Sequence, residues 1–61
     1  MEPYTLYQCF DENGVTIIRN DELISVIPVT NKSGEPRMMV NYYDDEICTV
    51  STMFCNRIEK M

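Results

Sequence analysis

The side chains of this chain that can carry chemistry are carboxylates and thiols, because the sequence contains no histidine. Its densest group is a run of three consecutive acids, Asp44, Asp45 and Glu46. Carboxylate oxygens bind divalent cations, but the same charges at a hairpin tip resist pairing between sheet edges. We favour the second interpretation and expect neither a metal site nor a cofactor. Because the commonest general base is missing, we also expect no catalytic residue and no enzymatic activity.

The three cysteines, Cys9, Cys48 and Cys55, are widely spaced. An odd number at such spacing does not indicate a disulfide framework, and three thiols without histidine make a poor zinc site. A catalytic thiol needs a neighbouring base to lower its pKa, and none is evident. We therefore expect reduced, mostly buried thiols, which are typical of a cytoplasmic protein. The N-terminus does not resemble a signal peptide, and no apolar run approaches ~20 residues.

Size and charge narrow the possible functions. At 61 residues the chain is expected to form a single domain, residues 1–61, with a thin core. Ten acids oppose five bases, which gives a net charge of −5. Such a surface repels phosphate backbones, so no nucleic acid is expected as a partner. It suits instead a basic surface on another protein.

Residues 3–19 predict a β-hairpin. The first half of this segment alternates bulky side chains on both faces, as expected of a strand that is covered on two sides. Asn13-Gly14 favours a tight turn because both residues tolerate positive φ. A β-branched run follows the turn and forms the returning strand.

A break at Asn20 precedes a predicted strand over residues 25–30. Pro28 cannot donate a hydrogen bond to a ladder, so we expect this strand at a sheet edge or with a bulge at Pro28. The alternative is a short helix over residues 21–26, against which the β-branched content argues. Residues 31–36 are polar or break regular structure and predict a solvated loop.

The C-terminal part of the chain predicts strand, tight turn, strand and helix. Residues 37–43 form an apolar and aromatic run, the three acids interrupt it, and residues 47–50 resume a β-branched pattern. A helix is predicted over residues 52–60, capped by Ser51 or Thr52. Its apolar stripe has the spacing i, i+1, i+4 and i+7 and consists of Phe54, Cys55, Ile58 and Met61.

Together these elements predict a mainly β fold of the β-rich α+β class. We expect a small bent antiparallel sheet or partly open barrel of about five short strands, with one C-terminal helix. In this arrangement Phe54 and Ile58 pack the helix on the sheet and close one end of it.

Residues 15–61 carry an apolar pattern that resembles a known family. The pattern is Ile18-x-x-Asp21-x-Leu23-Ile24-Ser25-Val26, a hairpin, Ile47-x-x-Val50-Ser51, and Phe54-x-x-x-Ile58. The segment is similar to small SH3-like barrel proteins of the flagellar FlbD type and, more loosely, to half of a LytTR DNA-binding domain. The resemblance implies the fold only. The chain departs from the family in its longer N-terminal strand and in residues 43–46, which replace a glycine hairpin, and it lacks a basic surface.

Two adjacent tyrosines mark the candidate binding surface. Tyr42 and Tyr43 are neighbours on a strand, so they point to opposite faces and one is expected to be partly exposed beside the acids. An exposed ring next to projecting carboxylates is typical of a protein-binding patch. We predict that the partner surface consists of Tyr42, Tyr43, Asp44, Asp45 and Glu46.

These observations suggest a small acidic protein-interaction module that docks on a basic surface of another protein and regulates or inhibits it. Phages and mobile elements encode compact inhibitors of host machinery with this size and composition. One alternative is a homo-oligomeric structural or assembly protein, and another is a small-barrel nucleic-acid-binding protein in which tyrosines stack on bases. Because the core is thin, we also expect self-association, most simply as a two-fold dimer.

Overall fold

The computed structural model describes residues 5–61 and shows two three-stranded antiparallel sheets. The strands are β1 (Leu6–Asp11), β2 (Gly14–Arg19), β3 (Leu23–Thr30), β4 (Pro36–Asp44), β5 (Thr49–Cys55) and β6 (Arg57–Lys60). The predicted mainly β character is confirmed. The predicted C-terminal helix is wrong, because its residues belong to β5 and β6. Within residues 5–61, no helix has the length and apolar character needed to cross a membrane.

The chain passes between the two sheets at two places. The strand order is β2–β1–β6 in the first sheet and β3–β4–β5 in the second. The turn after β2 leads into the second sheet, and there the Asn20 amide donates a hydrogen bond to the Thr5 carbonyl at 2.8 Å. Between β5 and β6, the Asn56 amide donates to the Phe10 carbonyl at 2.7 Å. Both crossing points are thereby tied to the two ends of β1.

The N-terminal hairpin is confirmed over the described residues by β1 and β2; residues 3 and 4 of the predicted segment lie outside them. Asp11 pairs with Gly14, so the loop consists of Glu12 and Asn13 and lies one residue earlier than predicted. The Asp11 Oδ1 atom accepts the Asn13 amide at 2.8 Å. Gly14 has a φ of 134°, a conformation that side chains disfavour.

The third strand occupies an edge of the second sheet, as Pro28 predicted. The alternative helix over residues 21–26 is wrong, since most of this segment lies in a turn and in β3. A register irregularity falls between Leu23 and Ser25 and not at Pro28. Backbone pairing with β4 therefore outweighs the local helical tendency of this acidic and apolar segment.

The loop between β3 and β4 is stabilised by one side chain. The Asn31 Oδ1 atom accepts the amides of Ser33 and Glu35, both at 2.9 Å. The Gly34 amide donates to the Asn31 carbonyl at 3.0 Å, and Gly34 has a φ of 83°. An asparagine that bonds neighbouring amides is a common way to close a polar turn, so the solvated loop predicted here is confirmed over residues 31–35.

The apolar spacing that predicted a helix over residues 52–60 arises from two strands that meet at a bend. In β5, Cys55 is buried whereas Phe54 is 58% exposed. The bend at Asn56 shifts the alternation by one residue, so Ile58 of β6 also packs against the core. Cys55 and Ile58 are therefore three residues apart on one face, which is the spacing that a helix produces. The predicted packing of Phe54 as a lid is wrong.

The residues proposed as helix caps, Ser51 and Thr52, lie inside β5. The register with β4 is continuous from the pair of Asp44 and Thr49 to the pair of Met38 and Cys55. Thr, Val and aromatic side chains fit a pleated surface, and they are frequent in this strand. Ladder pairing along seven residues of β5 therefore prevails over a capping signal of one residue.

Among the described residues, four buried side chains form the core between the sheets. Cys9 and Ile18 come from the first sheet, and Val40 and Cys55 come from the second. Partly buried side chains surround them: Leu23, Val26, Met38, Tyr42, Met53 and Ile58. Because so few side chains hold the sheets together, each buried methyl group is a large share of the stability.

We predict that Val40→Ala lowers the free energy of unfolding by about 2 kcal/mol, because it removes fully buried methyl groups and leaves a cavity. Phe54→Ala is the matched comparison and is expected to cost about 1 kcal/mol or less, since most of the ring is exposed. Urea unfolding of both variants measures the two values. An equal loss in both would show that Phe54 is buried.

Candidate functional site

The acidic run forms the turn between β4 and β5. The fourth strand ends at Asp44, and residues 45–48 form the turn, so β5 begins two residues later than predicted. The Asp44 Oδ1 atom accepts the Glu46 amide at 3.0 Å, and the Cys48 thiol donates to the Asp45 carbonyl at 3.4 Å. These bonds within the turn fix its backbone and present its carboxylates at one end of the molecule.

The two tyrosines point to opposite faces of β4, as predicted. Tyr42 pairs with Ser51 and packs against the core. Tyr43 pairs with Val50 on the outer face and is 42% exposed. Of the two rings, Tyr43 therefore offers more surface to a partner, and Tyr42 supports the strand from inside.

A cleft of about 290 Å³, hereafter the acidic cleft, lies between β2 and the end of β4. All five residues of the predicted partner surface line it, together with one further acid and three residues of β2. Among the described residues, the lining consists of Thr16, Ile17, Ile18, Glu22, Tyr42, Tyr43, Asp44, Asp45 and Glu46. The predicted surface is thus one wall of a concave site rather than an isolated projecting turn.

The contributions of β2 and Glu22 to the cleft were missed by reasoning from the sequence. Glu22 is far from the acidic turn along the chain, but the turn between the sheets carries it there. The Tyr43 amide donates to the Glu22 carbonyl at 2.8 Å, which fixes this contact. The break at Asn20 indicated that the chain turns, but local patterns do not specify which strand the turn will meet.

Negative charge in the acidic cleft is only partly balanced. Within residues 5–61, four carboxylates line the cleft, and no Lys or Arg side chain does. Burial raises the pKa of Glu22, and hydrogen bonding with Asp45 and repulsion from its charge raise this pKa further, while Arg19 opposes them. The Arg19 side chain lies 3.1 Å from Asp21 and 3.6 Å from Glu22, so its charge is shared between two acids. A cation in the cleft would therefore be stabilised.

The outward face of the β3–β4–β5 sheet carries a second candidate surface, hereafter the apolar row. The register places its members side by side: Ile27, Met39 and Phe54. Two of them, Ile27 and Phe54, are 42% and 58% exposed. A polar row lies beside it, in which Asn41 donates to the Ser25 hydroxyl at 2.9 Å and accepts from the Thr52 hydroxyl at 2.6 Å. The hydrogen-bonded row holds the three strands in register.

A wider cleft of about 520 Å³ lies at the turn of the N-terminal hairpin and the Asn31 loop. Phe54 also reaches this cleft, so it borders two surfaces. The lining contains charges of both signs, from Asp11 and Glu12 and from Lys32 and Arg37. This second cleft therefore has no single charge preference.

Comparison with known protein families, with curated proteins and with solved structures gives no match. The function must therefore be argued from the geometry and charge of the acidic cleft and of the apolar row.

The thiols have different environments. Cys9 and Cys55 are buried opposite one another in the core, and Cys48 is exposed in the acidic turn. Burial raises the pKa of Cys9 to about 11, with a further contribution from the neighbouring Cys55 sulfur. Burial also raises the pKa of Cys55. Among residues 5–61, no group of three or more Cys, His, Asp or Glu side chains is arranged to hold a metal ion.

We predict that a thiol-specific disulfide reagent at pH 7.5 modifies one of the three cysteines rapidly. Cys48 is accessible, whereas Cys9 and Cys55 remain protonated and covered, because a pKa raised by burial lowers the thiolate fraction. Unfolding in urea should release the other two. Cys48→Ser is the control and should abolish the rapid phase. Rapid reaction of all three cysteines in the folded protein would contradict the buried core pair.

Proposed function

We propose that this chain is a small acidic protein-interaction module. It docks through the acidic cleft on a basic surface of another protein, and it regulates or inhibits that protein by covering the surface. One observation carries the proposal: the five residues selected from the sequence lie with Glu22 and β2 around a single cleft that four carboxylates line.

The chemistry of the cleft suits recognition of a basic protein surface. Tyr43 supplies a rigid ring that is already partly desolvated, and such rings are enriched among residues that dominate binding energy. The carboxylates attract a basic partner from a distance and so raise the association rate. The ring therefore supports affinity, while the acids support rate and selectivity.

The acids of the turn also lie outside the ion pairs that the described residues form. Within the described residues, the ion pairs join Arg19, Arg37 and Arg57 to acids close to them in the sequence. None of these pairs includes Asp44, Asp45 or Glu46. A basic group of a partner can therefore bind these carboxylates without first breaking an internal salt bridge.

The direct test is charge reversal in the acidic turn. We expect the double variant Asp44→Lys, Asp45→Lys to fold as the parent does, because a hairpin tip tolerates a change of charge. Its association with a purified partner, first identified by affinity capture from the native host, should slow by about tenfold or more at low salt. The parent's binding should weaken as salt rises. Stopped-flow measurement of both proteins over a range of salt gives these rates.

A matched double reversal at the other acidic turn, Asp11→Lys and Glu12→Lys, controls for the change in net charge. It should slow association much less than the reversal in the cleft. If both variants slowed association equally, the net charge of the protein and not the position of the cleft would determine the rate. A folded Asp44→Lys, Asp45→Lys variant that binds at the parent's rate would remove the cleft as the partner surface.

A second candidate function is assembly of identical copies, and the apolar row supports it. Ile27 and Phe54 are both exposed on this sheet face, with Met39 of the central strand between them. Covering such an apolar face removes it from water and is therefore favourable. A two-fold dimer through this face would add the burial that the small core lacks. This surface is separate from the acidic cleft, so the two functions are not exclusive.

We predict that self-association depends on Phe54. If the apolar row pairs two copies, the melting temperature should rise with protein concentration over a hundredfold range, and Phe54→Ser should abolish this dependence. Ile47→Ser is the matched control, because Ile47 is 59% exposed but lies in the acidic turn. A melting temperature of the parent that does not move with concentration would contradict assembly.

A further inference from the structure

The edges of the two sheets differ in how they are protected against pairing with another strand. In the described part of the chain, β2, β3, β5 and β6 lie at edges. The third strand contains Pro28 and a register irregularity, and β6 has four residues of which three are charged. Both are devices that prevent edge pairing. Neither β2 nor β5 has proline or a charge within its central residues.

The hydrogen-bond phase of β2 shows which of its backbone groups face away from β1. The Asn20 amide donates to the Thr5 carbonyl, so these two residues form a hydrogen-bonded pair. Such pairs alternate along an antiparallel ladder, and the register then assigns Ile18 and Thr16 to bonded pairs with β1. The amide and carbonyl of Val15 and of Ile17 consequently point to the open edge. Two backbone N–H donors and two backbone carbonyl acceptors along this edge are thus available to a further strand.

This open edge borders the acidic cleft. Residues Thr16, Ile17 and Ile18 form one wall, and the acidic turn with Glu22 forms the other. A strand added to β2 would lie about 4.8 Å from it and so beside the cleft that β2 lines. Of these two clefts, the fifth strand borders the second one through Phe54, and that cleft carries charges of both signs. Charge therefore selects an occupant at β2 and does not select one at β5.

The pleat of β2 specifies the side chains of the added strand. Side chains of the added strand that lie opposite Val15 and Ile17 fall on the outer face. Val15 and Ile17 are 50% and 49% exposed there, so apolar side chains are favoured opposite them. Those opposite Thr16 and Ile18 fall on the inner face, toward the carboxylates, so cationic groups are favoured there. The matching sequence alternates basic and β-branched residues.

A second copy of this chain is the poorer occupant. Antiparallel pairing of two β2 edges would bring two acidic clefts together in a dimer whose chains each carry a net charge of −5. Like charges across an interface disfavour association, whereas a basic strand would neutralise the cleft.

We propose that the open edge of β2 is a strand-addition site for an extended basic segment of the partner protein. The segment lies antiparallel to β2, bonds through its backbone to Val15 and Ile17, and directs alternate Lys or Arg side chains into the acidic cleft. This inference rests on the proposed function and names the form in which the basic partner is recognised.

A synthetic peptide, acetyl-Lys-Val-Lys-Val-Lys-Val-Lys-amide, tests the proposal on the full chain. Its valines occupy the positions that bond to Val15 and Ile17, so methylating the valine nitrogens removes the required donors. In the matched control peptide, the backbone amide nitrogens of the lysines are methylated instead. These backbone donors face solvent, and the side-chain ammonium groups are left unchanged. We expect the first methylated peptide to bind about tenfold more weakly than the parent peptide and the control to bind nearly as well. A Glu-Val peptide of the same length should not bind.

Amide hydrogen exchange of the protein provides a second readout that needs no variant. Binding of the Lys-Val peptide should slow exchange at Val15 and Ile17, while the Thr16 and Ile18 amides, already bonded to β1, change little. Equal binding of both methylated peptides, or unchanged exchange at Val15 and Ile17, would overturn strand addition and leave the proposed function standing. Failure of the Lys-Val peptide to bind would also overturn strand addition. The proposed function would not fall with it, because the association rates of the charge-reversal variants test that function separately. If the protein dimerised without peptide and the amides of Val15 and Ile17 then exchanged slowly, the β2 edge would be occupied by a second copy, and the proposal would be overturned.

Discussion

The structure depends on contact between two sheets through a few buried side chains. Within residues 5–61 these are Cys9, Ile18, Val40 and Cys55, and none of the four is aromatic. Small side chains allow the sheets to approach closely, but they bury little apolar area, so the stability available from the core is limited. The backbone hydrogen bonds of Asn20 and Asn56, which tie both crossing points to the ends of β1, therefore matter more for holding the two sheets together. With so thin a core, large apolar side chains such as Phe54 and Ile47 remain on the surface.

The small size of the two sheets connects the fold to the acidic cleft, because small sheets leave much of their backbone at edges. An exposed strand edge can pair with another chain, and the structure protects two of the four described edges with proline, irregular register and charge. The edges of β2 and β5 are not protected in this way. That of β2 borders the cleft where the acidic turn and Glu22 collect negative charge. An unblocked edge alone favours aggregation. Carboxylates whose charge is only partly balanced lie beside this edge, and their negative charge opposes pairing with further copies of the same acidic chain.

Features set by local chemistry were predictable from the sequence. The Asn-Gly signal located the first hairpin within one residue, Pro28 located an edge, and adjacency of Tyr42 and Tyr43 implied opposite faces. The helix prediction failed because a bend at Asn56 changes the alternation of two strands, so Cys55 and Ile58 acquire a helical spacing. The contribution of β2 and Glu22 to the cleft was missed for a different reason. It depends on which strand the second turn meets, and pairing across such a sequence distance follows from the whole sheet arrangement.

Whether negative potential is concentrated at the acidic cleft and the adjoining β2 edge can be measured without a partner. Two soluble nitroxides that differ only in carrying a positive or a negative charge can be added separately, and the relaxation of each amide proton can be compared by NMR. We expect the ratio of the cationic to the anionic effect to be largest at residues 43–46 and along residues 15–17. A ratio that is uniform over the surface, or largest at the Asn31 loop, would contradict it.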